Sequence, residues 1–147
     1  MISEQNLAHM CFCYKHDVDI HPPWNSILHP APLSHGSGLY ALAHFLEGSC
    51  QVLPESRGFD AEELFRLSQS WPQSVFFAAP TMVRRLTACP VDSDLADLKA
   101  VIYGGASMLV ADTRAYLDRF GPRICQLYGQ GESPMTCLLY TSDAADE

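Results

Sequence analysis

Two kinds of apolar pattern alternate along the chain. Short runs with no polar alternation occur at Ser26–His29, Cys50–Leu53, Ser74–Ala78, Lys99–Tyr103 and Ile124–Tyr128. Apolar runs of this length, lacking period-two polarity, read as strands buried on both faces. Between them, apolar positions recur at helical spacing. Ser3 can cap a helix from Glu4 to about Asp17, with Leu7, Met10, Cys11 and Tyr14 on one face. Leu39–Leu46 is apolar on nearly every side and reads as a buried helix ended by Gly48. Asp60-Ala61-Glu62-Glu63 has the form of a capping box, opening a helix that ends near Trp71-Pro72. Pro80 suits the first turn of the next helix. Val110–Phe120 is amphipathic and stops at Gly121-Pro122, while Cys89–Ala96 reads as loop.

Strand and helix therefore alternate at least four times. That order predicts an α/β fold: a partial doubly wound, mainly parallel sheet with flanking helices and right-handed crossovers. No internal repeat or low-complexity linker divides the chain, which reads as one layer system.

Charge narrows the function classes. With 17 acidic and 9 basic residues the formal charge is −8, which argues against a nucleic-acid partner held through its phosphates. No apolar run approaches the ~20 residues of a membrane span, and no basic segment precedes an apolar core at the N-terminus. Cysteines 11, 13, 50, 89, 125 and 137 form no Cys-x-x-Cys pair, so reduced thiols in a cytoplasmic protein are expected. His9, His16 and His21 lack the one-turn spacing of a helical metal site.

Candidate chemistry gathers at three strand ends. Tyr103 runs into Gly104-Gly105-Ala106-Ser107, Tyr128 into Gly129-Gln130-Gly131-Glu132, and Pro32-Leu33-Ser34-His35-Gly36-Ser37-Gly38 follows the first strand. Open α/β sheets bind ligands beyond the carboxyl ends of their strands, so the three tips are expected to face one pocket. Taken singly, each reads better as an ordinary tight turn. Gly36-Ser37-Gly38-Leu39-Tyr40-Ala41 also fits a loose G-x-G-x-x-A dinucleotide pattern, with Glu55 near the distance of a ribose-binding acid. Residues 32–35 intervene between that pattern and its strand, which weighs against it. No phosphate loop of the G-x-x-x-x-G-K-[ST] type and no G-x-S-x-G elbow are present. Glu132 is an acid in a glycine setting at a strand tip, where a carboxylate can hold Mg²⁺ against phosphate or serve as a solvated turn acid.

Tyr103-Gly104-Gly105-Ala106-Ser107-Met108, then Tyr128-Gly129-Gln130-Gly131-Glu132, with Pro32–Gly38 upstream, together resemble the adenylate-forming superfamily of acyl-CoA synthetases, adenylation domains and luciferases. The resemblance covers nearly all of residues 1–136 and implies a fragment of that family's large N-terminal domain. It implies a two-step reaction. A carboxylic acid attacks the α-phosphate of ATP to give an acyl-adenylate and pyrophosphate, and coenzyme A then takes the acyl group. It also implies roles. Gly104, Gly105 and Ala106 would line the adenine and acyl pocket, Tyr128 would stack on adenine, and Gly129, Gln130 and Gly131 would complete the nucleotide turn. Glu132 would bind Mg²⁺, His35 would gate the passage to the thiol, and 75–86 would wall the acyl pocket. The family commonly reads Tyr-Gly-x-Thr-Glu; Gly131 stands here in place of the threonine.

The last eleven residues, 137–147, resemble the translation of a sequencing adapter and are read as a non-native tail. On that reading the chain is an internal fragment, without the family's phosphate loop, ribose-binding acid and catalytic lid lysine. It is then expected to be inactive alone. The alternatives are a dinucleotide-binding oxidoreductase using Gly36–Ala41 and a non-catalytic nucleotide-binding fragment.

Overall fold

The structure is a computed structural model that describes residues 2–18, 25–91, 95 and 97–130, together with the backbone course of 133–140. Helix α1 spans Glu4–Asp17, β1 Ser26–Leu28, α2 Gly36–Leu46, β2 Cys50–Val52, α3 Ala61–Ser70 and β3 Ser74–Ala78. Helix α4 spans Pro80–Ala88, β4 Leu98–Tyr103, α5 Val110–Phe120, β5 Ile124–Gln130 and β6 Ser133–Tyr140. The sheet order is β2-β1-β3-β4-β5-β6. The first five strands are parallel, with Ile27 beside Val75, Phe76 beside Val101 and Val101 beside Ile124.

Both faces of that sheet are covered, which is why its strands lack alternation. On one face Ile27, Val75, Ile102 and Leu127 pack against Met10 and Tyr14 of α1 and Tyr40 and Ala43 of α2. On the other, Leu28, Phe76, Val101 and Ile124 pack against α3, α4 and α5 through Leu64, Phe65, Val83, Leu86, Tyr116 and Phe120. Neighbouring residues of one strand thus feed two different cores.

Four local expectations need correction. The segment Gly36-Ser37-Gly38 is not a turn but the first turn of α2. Leu42, Phe45 and Leu46 are exposed, so α2 is buried on one side only. Asp60 does cap α3, accepting from the Glu63 amide at 2.8 Å, but the Glu63 carboxylate does not return to it. It accepts instead from the amides of Glu55 at 2.6 Å and Ser56 at 3.3 Å, tying down the β2–α3 loop. Finally, β5 does not close the series, because β6 runs antiparallel beside it with Leu127 opposite Leu139 and Tyr128 opposite Leu138. This strand crosses the expected boundary at residue 136. Among the described residues no helix is long and apolar enough to cross a membrane.

Candidate functional site

The strand order places β1 and β3 side by side, with the chain leaving β1 toward β2 on one flank and reaching β4 and β5 on the other. This is the topological switch point, where the loops after adjacent strands part and leave a crevice. A cavity of about 1030 Å³ opens there. Its walls are Ala31–Gly36 with Gly38–Tyr40 after β1, Phe77 and Ala79–Met82 at the end of β3, Gly104–Ser107 after β4, and Leu127–Gln130 of β5. Single-ligand pockets occupy ~300–1,000 Å³, so this one has room for a nucleotide and a second group.

The glycines at these tips are required by the fold itself. At Gly104 a Cβ would lie 2.5 Å from the Leu127 carbonyl oxygen of the neighbouring strand. At Gly38 a Cβ would overlap the carbonyl oxygen of Leu33. Gly105 adopts φ +84°, which L side chains rarely tolerate. The Phe77 ring forms the floor between two tips: a Cβ on Gly36 would stand 3.1 Å from it and one on Gly104 3.5 Å. Tyr40 stacks on the same ring, with centroids 5.2 Å apart and planes 23° from parallel.

Electrostatically the lining is spare. No Lys, Arg, Asp or Glu lines the described part of the cavity; its ionisable side chains are His35, Tyr40 and Tyr128. Helices α2 and α4 begin at the rim, at Gly36 and Pro80. Each turns the positive end of its dipole, about half a charge, toward the opening, so the field favours an anion there despite the acidic chain.

Each site residue named from the sequence can now be placed. His35, Gly104, Gly105, Ala106, Tyr128, Gly129 and Gln130 line this one cavity. Gly131 and Glu132 lie outside the described residues. The Tyr128 ring is 52% exposed and so presents a face for stacking. Within 75–86, Phe77 and 79–82 form a wall. His35 is the N-cap of α2 without a side-chain capping bond; its Nδ1 lies 3.0 Å from Ser34 Oγ.

A polar cluster behind the rim has no counterpart in the sequence reading. Buried His29 follows β1, its Nδ1 2.7 Å from Ser37 Oγ on α2 and its Nε2 2.8 Å from Gln51 Oε1 on β2. Burial lowers its pKa, opposed by the Gln51 bond. Its only sequence signal was a histidine wedged between an apolar strand and two prolines.

The dinucleotide alternative fails on geometry. Residues 29–35 separate β1 from the glycine pattern, and Gly38 serves the Leu33 carbonyl. The strand order 2-1-3-4-5 is also not the 3-2-1-4-5-6 of the dinucleotide fold. Among the described residues no cluster of three or more His, Cys, Asp or Glu is arranged for a metal.

Comparison with known proteins agrees with this geometry. The family model described as AMP-binding enzyme matches residues 1–147. A medium/long-chain-fatty-acid–CoA ligase, FadD8 of Mycobacterium tuberculosis, is 29% identical over 119 residues, covering 79% of this chain and 20% of the ligase. The amide bond synthetase McbA from Marinactinospora thermotolerans superposes with a TM-score of 0.84 at 25% identity, covering 99% of this chain and 29% of McbA. ATP-bound MatB from Rhodopseudomonas palustris shares the fold at a TM-score of 0.81 and 24% identity, over 97% of this chain and 28% of MatB. The chain thus spans between a fifth and a third of these relatives' lengths.

Proposed function

This chain belongs to the AMP-binding enzyme family, and we propose that its cavity holds the adenylate and the acyl group in an ATP-dependent acid–thiol ligase. In this reading a carboxylic acid is activated as its acyl-adenylate and passed to coenzyme A. The observation that carries it is the meeting of three sequence motifs at one switch-point cavity.

Each residue's role follows from its setting. Gly104 and Gly105 present bare backbone, so a flat purine can approach the β4 tip closely, with Tyr128 as the stacking face opposite. Ala106, Gly129 and Gln130 line the nucleotide part of the cavity, and Gly131, outside the described residues, is the candidate next residue of that turn. The dipoles at the starts of α2 and α4 offset phosphate charge. Phe77, Tyr40 and Met82 give an apolar surface for the acyl group, and His35 stands at the rim where the acceptor thiol would enter. Mg²⁺ would neutralise phosphate charge; Glu132 is its candidate ligand in this reading. The described lining supplies no carboxylate of its own. Likeness to FadD8, a medium/long-chain-fatty-acid–CoA ligase, supports a fatty acid and coenzyme A as substrates; a cytoplasmic place in fatty acid metabolism is part of the same proposal.

Isothermal titration of the full chain with AMP and ATP tests this. Binding is expected, weakened about 5-fold or more by Tyr128→Ala, since base–aromatic stacking is worth ~1–3 kcal/mol. Undiminished binding by that variant, or preferential binding of NAD, would refute the assignment. ATP–pyrophosphate exchange by these 147 residues alone is expected to be absent, because they span only 20% of FadD8 and 29% of McbA.

A further inference from the structure

We propose that His29 is a positioning residue which, through Ser37, holds the first turn of α2 and with it the Pro32–His35 turn that forms one rim of the cavity. The start of α2 is weak by local chemistry. Its N-cap makes no side-chain capping bond, and glycines occupy two of its first three positions. Tertiary contacts must hold it instead.

Ser37, between those glycines, is fully buried, and its hydroxyl meets His29 Nδ1 at 2.7 Å. The other ring nitrogen is fixed by Gln51, whose amide nitrogen donates to the Ser49 carbonyl at 3.5 Å and so turns Oε1 toward the ring. Nε2 therefore carries the proton and donates to Gln51, leaving Nδ1 to accept from Ser37. The His29 amide also donates to the Val52 carbonyl at 2.9 Å, anchoring the ring's own backbone to β2. The rim rides on this turn. The His35 amide donates to the Pro32 carbonyl at 3.0 Å, the Gly38 amide to the His35 carbonyl at 3.1 Å, and the Leu33 carbonyl fills the space of the absent Gly38 side chain. A single neutral imidazole thus links the β1–β2 edge to the placement of His35. The inference stands on this geometry whichever ligand the cavity takes.

Amide hydrogen exchange of the full chain by NMR tests it. Ser37→Ala is expected to speed exchange at the His35 and Gly38 amides about 10-fold relative to Ala43 later in α2, as loss of one hydrogen bond implies. His29→Phe should do the same, and the double variant should be no faster than either single one. Ser68→Ala removes another buried hydroxyl, bonded to the Phe65 carbonyl at 2.9 Å on α3, and should leave both amides unchanged. Unchanged exchange in Ser37→Ala, or equal acceleration in Ser68→Ala, would overturn the proposal. If Ser37→Ala does not fold, nitrogen spectra of the wild-type His29 ring decide. A hydrogen-bonded Nδ1 is expected, and an Nδ1 shift typical of a ring nitrogen free of hydrogen bonding would overturn it.

Discussion

His44 makes the stability of this fold fall steeply in mild acid. It sits in the last turn of α2, buried, with Nε2 3.0 Å from the hydroxyl of Tyr14 on α1. Burial drives its pKa from 6.5 to about 4, nearby His29 adds to the fall, and Glu47 opposes it. A fall of that size corresponds to ~3 kcal/mol of preference for the neutral ring. The direction follows from proton counting. The unfolded chain takes up the proton near pH 6.5 and the native chain only near 4, so between these values the unfolded state binds more protons. Stability is then complete above about pH 7 and declines as the pH drops through that window. Between pH 8 and pH 5 the linkage relation gives a loss of ~2 kcal/mol, a large share of the ~5–15 kcal/mol of a typical domain. His29, whose pKa burial also lowers, adds loss of the same sign. Urea unfolding followed by tryptophan fluorescence at pH 8, 7, 6 and 5 measures this directly. His44→Gln keeps a polar group at the site but cannot titrate, so its curve should lose ~2 kcal/mol less across the range. Parallel curves for wild type and variant would refute the reasoning.

Other perturbations have expected sizes too. Gly104→Ala pushes a methyl against the Leu127 carbonyl and should destabilise by ~1–3 kcal/mol, whereas Gly58→Ala, with nothing within 4 Å, should stay within ~0.5 kcal/mol in thermal melts. Asp60→Ala removes the cap of α3 and should cost ~1 kcal/mol by urea denaturation. The Arg119 guanidinium donates to the carbonyls of Thr87, Cys89 and Val91, each at 2.6 Å, and lies over the Phe120 ring. Arg119→Lys keeps the charge but loses the fork, so ~2 kcal/mol should disappear from chemical unfolding.

The parallel strands were legible because burial on both faces leaves continuous apolar runs such as Val75–Ala78. Motif spacing likewise brought His35, Gly104 and Tyr128 together before any coordinates, since strand ends in such sheets share one edge. The start of α2 was not legible. Gly-Ser-Gly has turn chemistry, and the contact from His29 to Ser37 that holds it as helix is long-range in sequence. Nor did the apolar face of Leu42, Phe45 and Leu46 announce its exposure, because hydrophobicity says which residues gain from burial and not whether a cover is present. At Gly104 the neighbouring strand's carbonyl is the nearest constraint on a side chain.

The cavity walls lie far apart in sequence, and Leu127–Gln130 comes last among them. A ribosome therefore delivers Tyr40 and Phe77 well before the strand that completes their enclosure. Until β5 docks beside β4, that aromatic floor faces water in the nascent chain, and parallel pairing over such separations is slow. Premature termination before residue 127 would release a polypeptide whose Phe77 floor lacks its β5 wall.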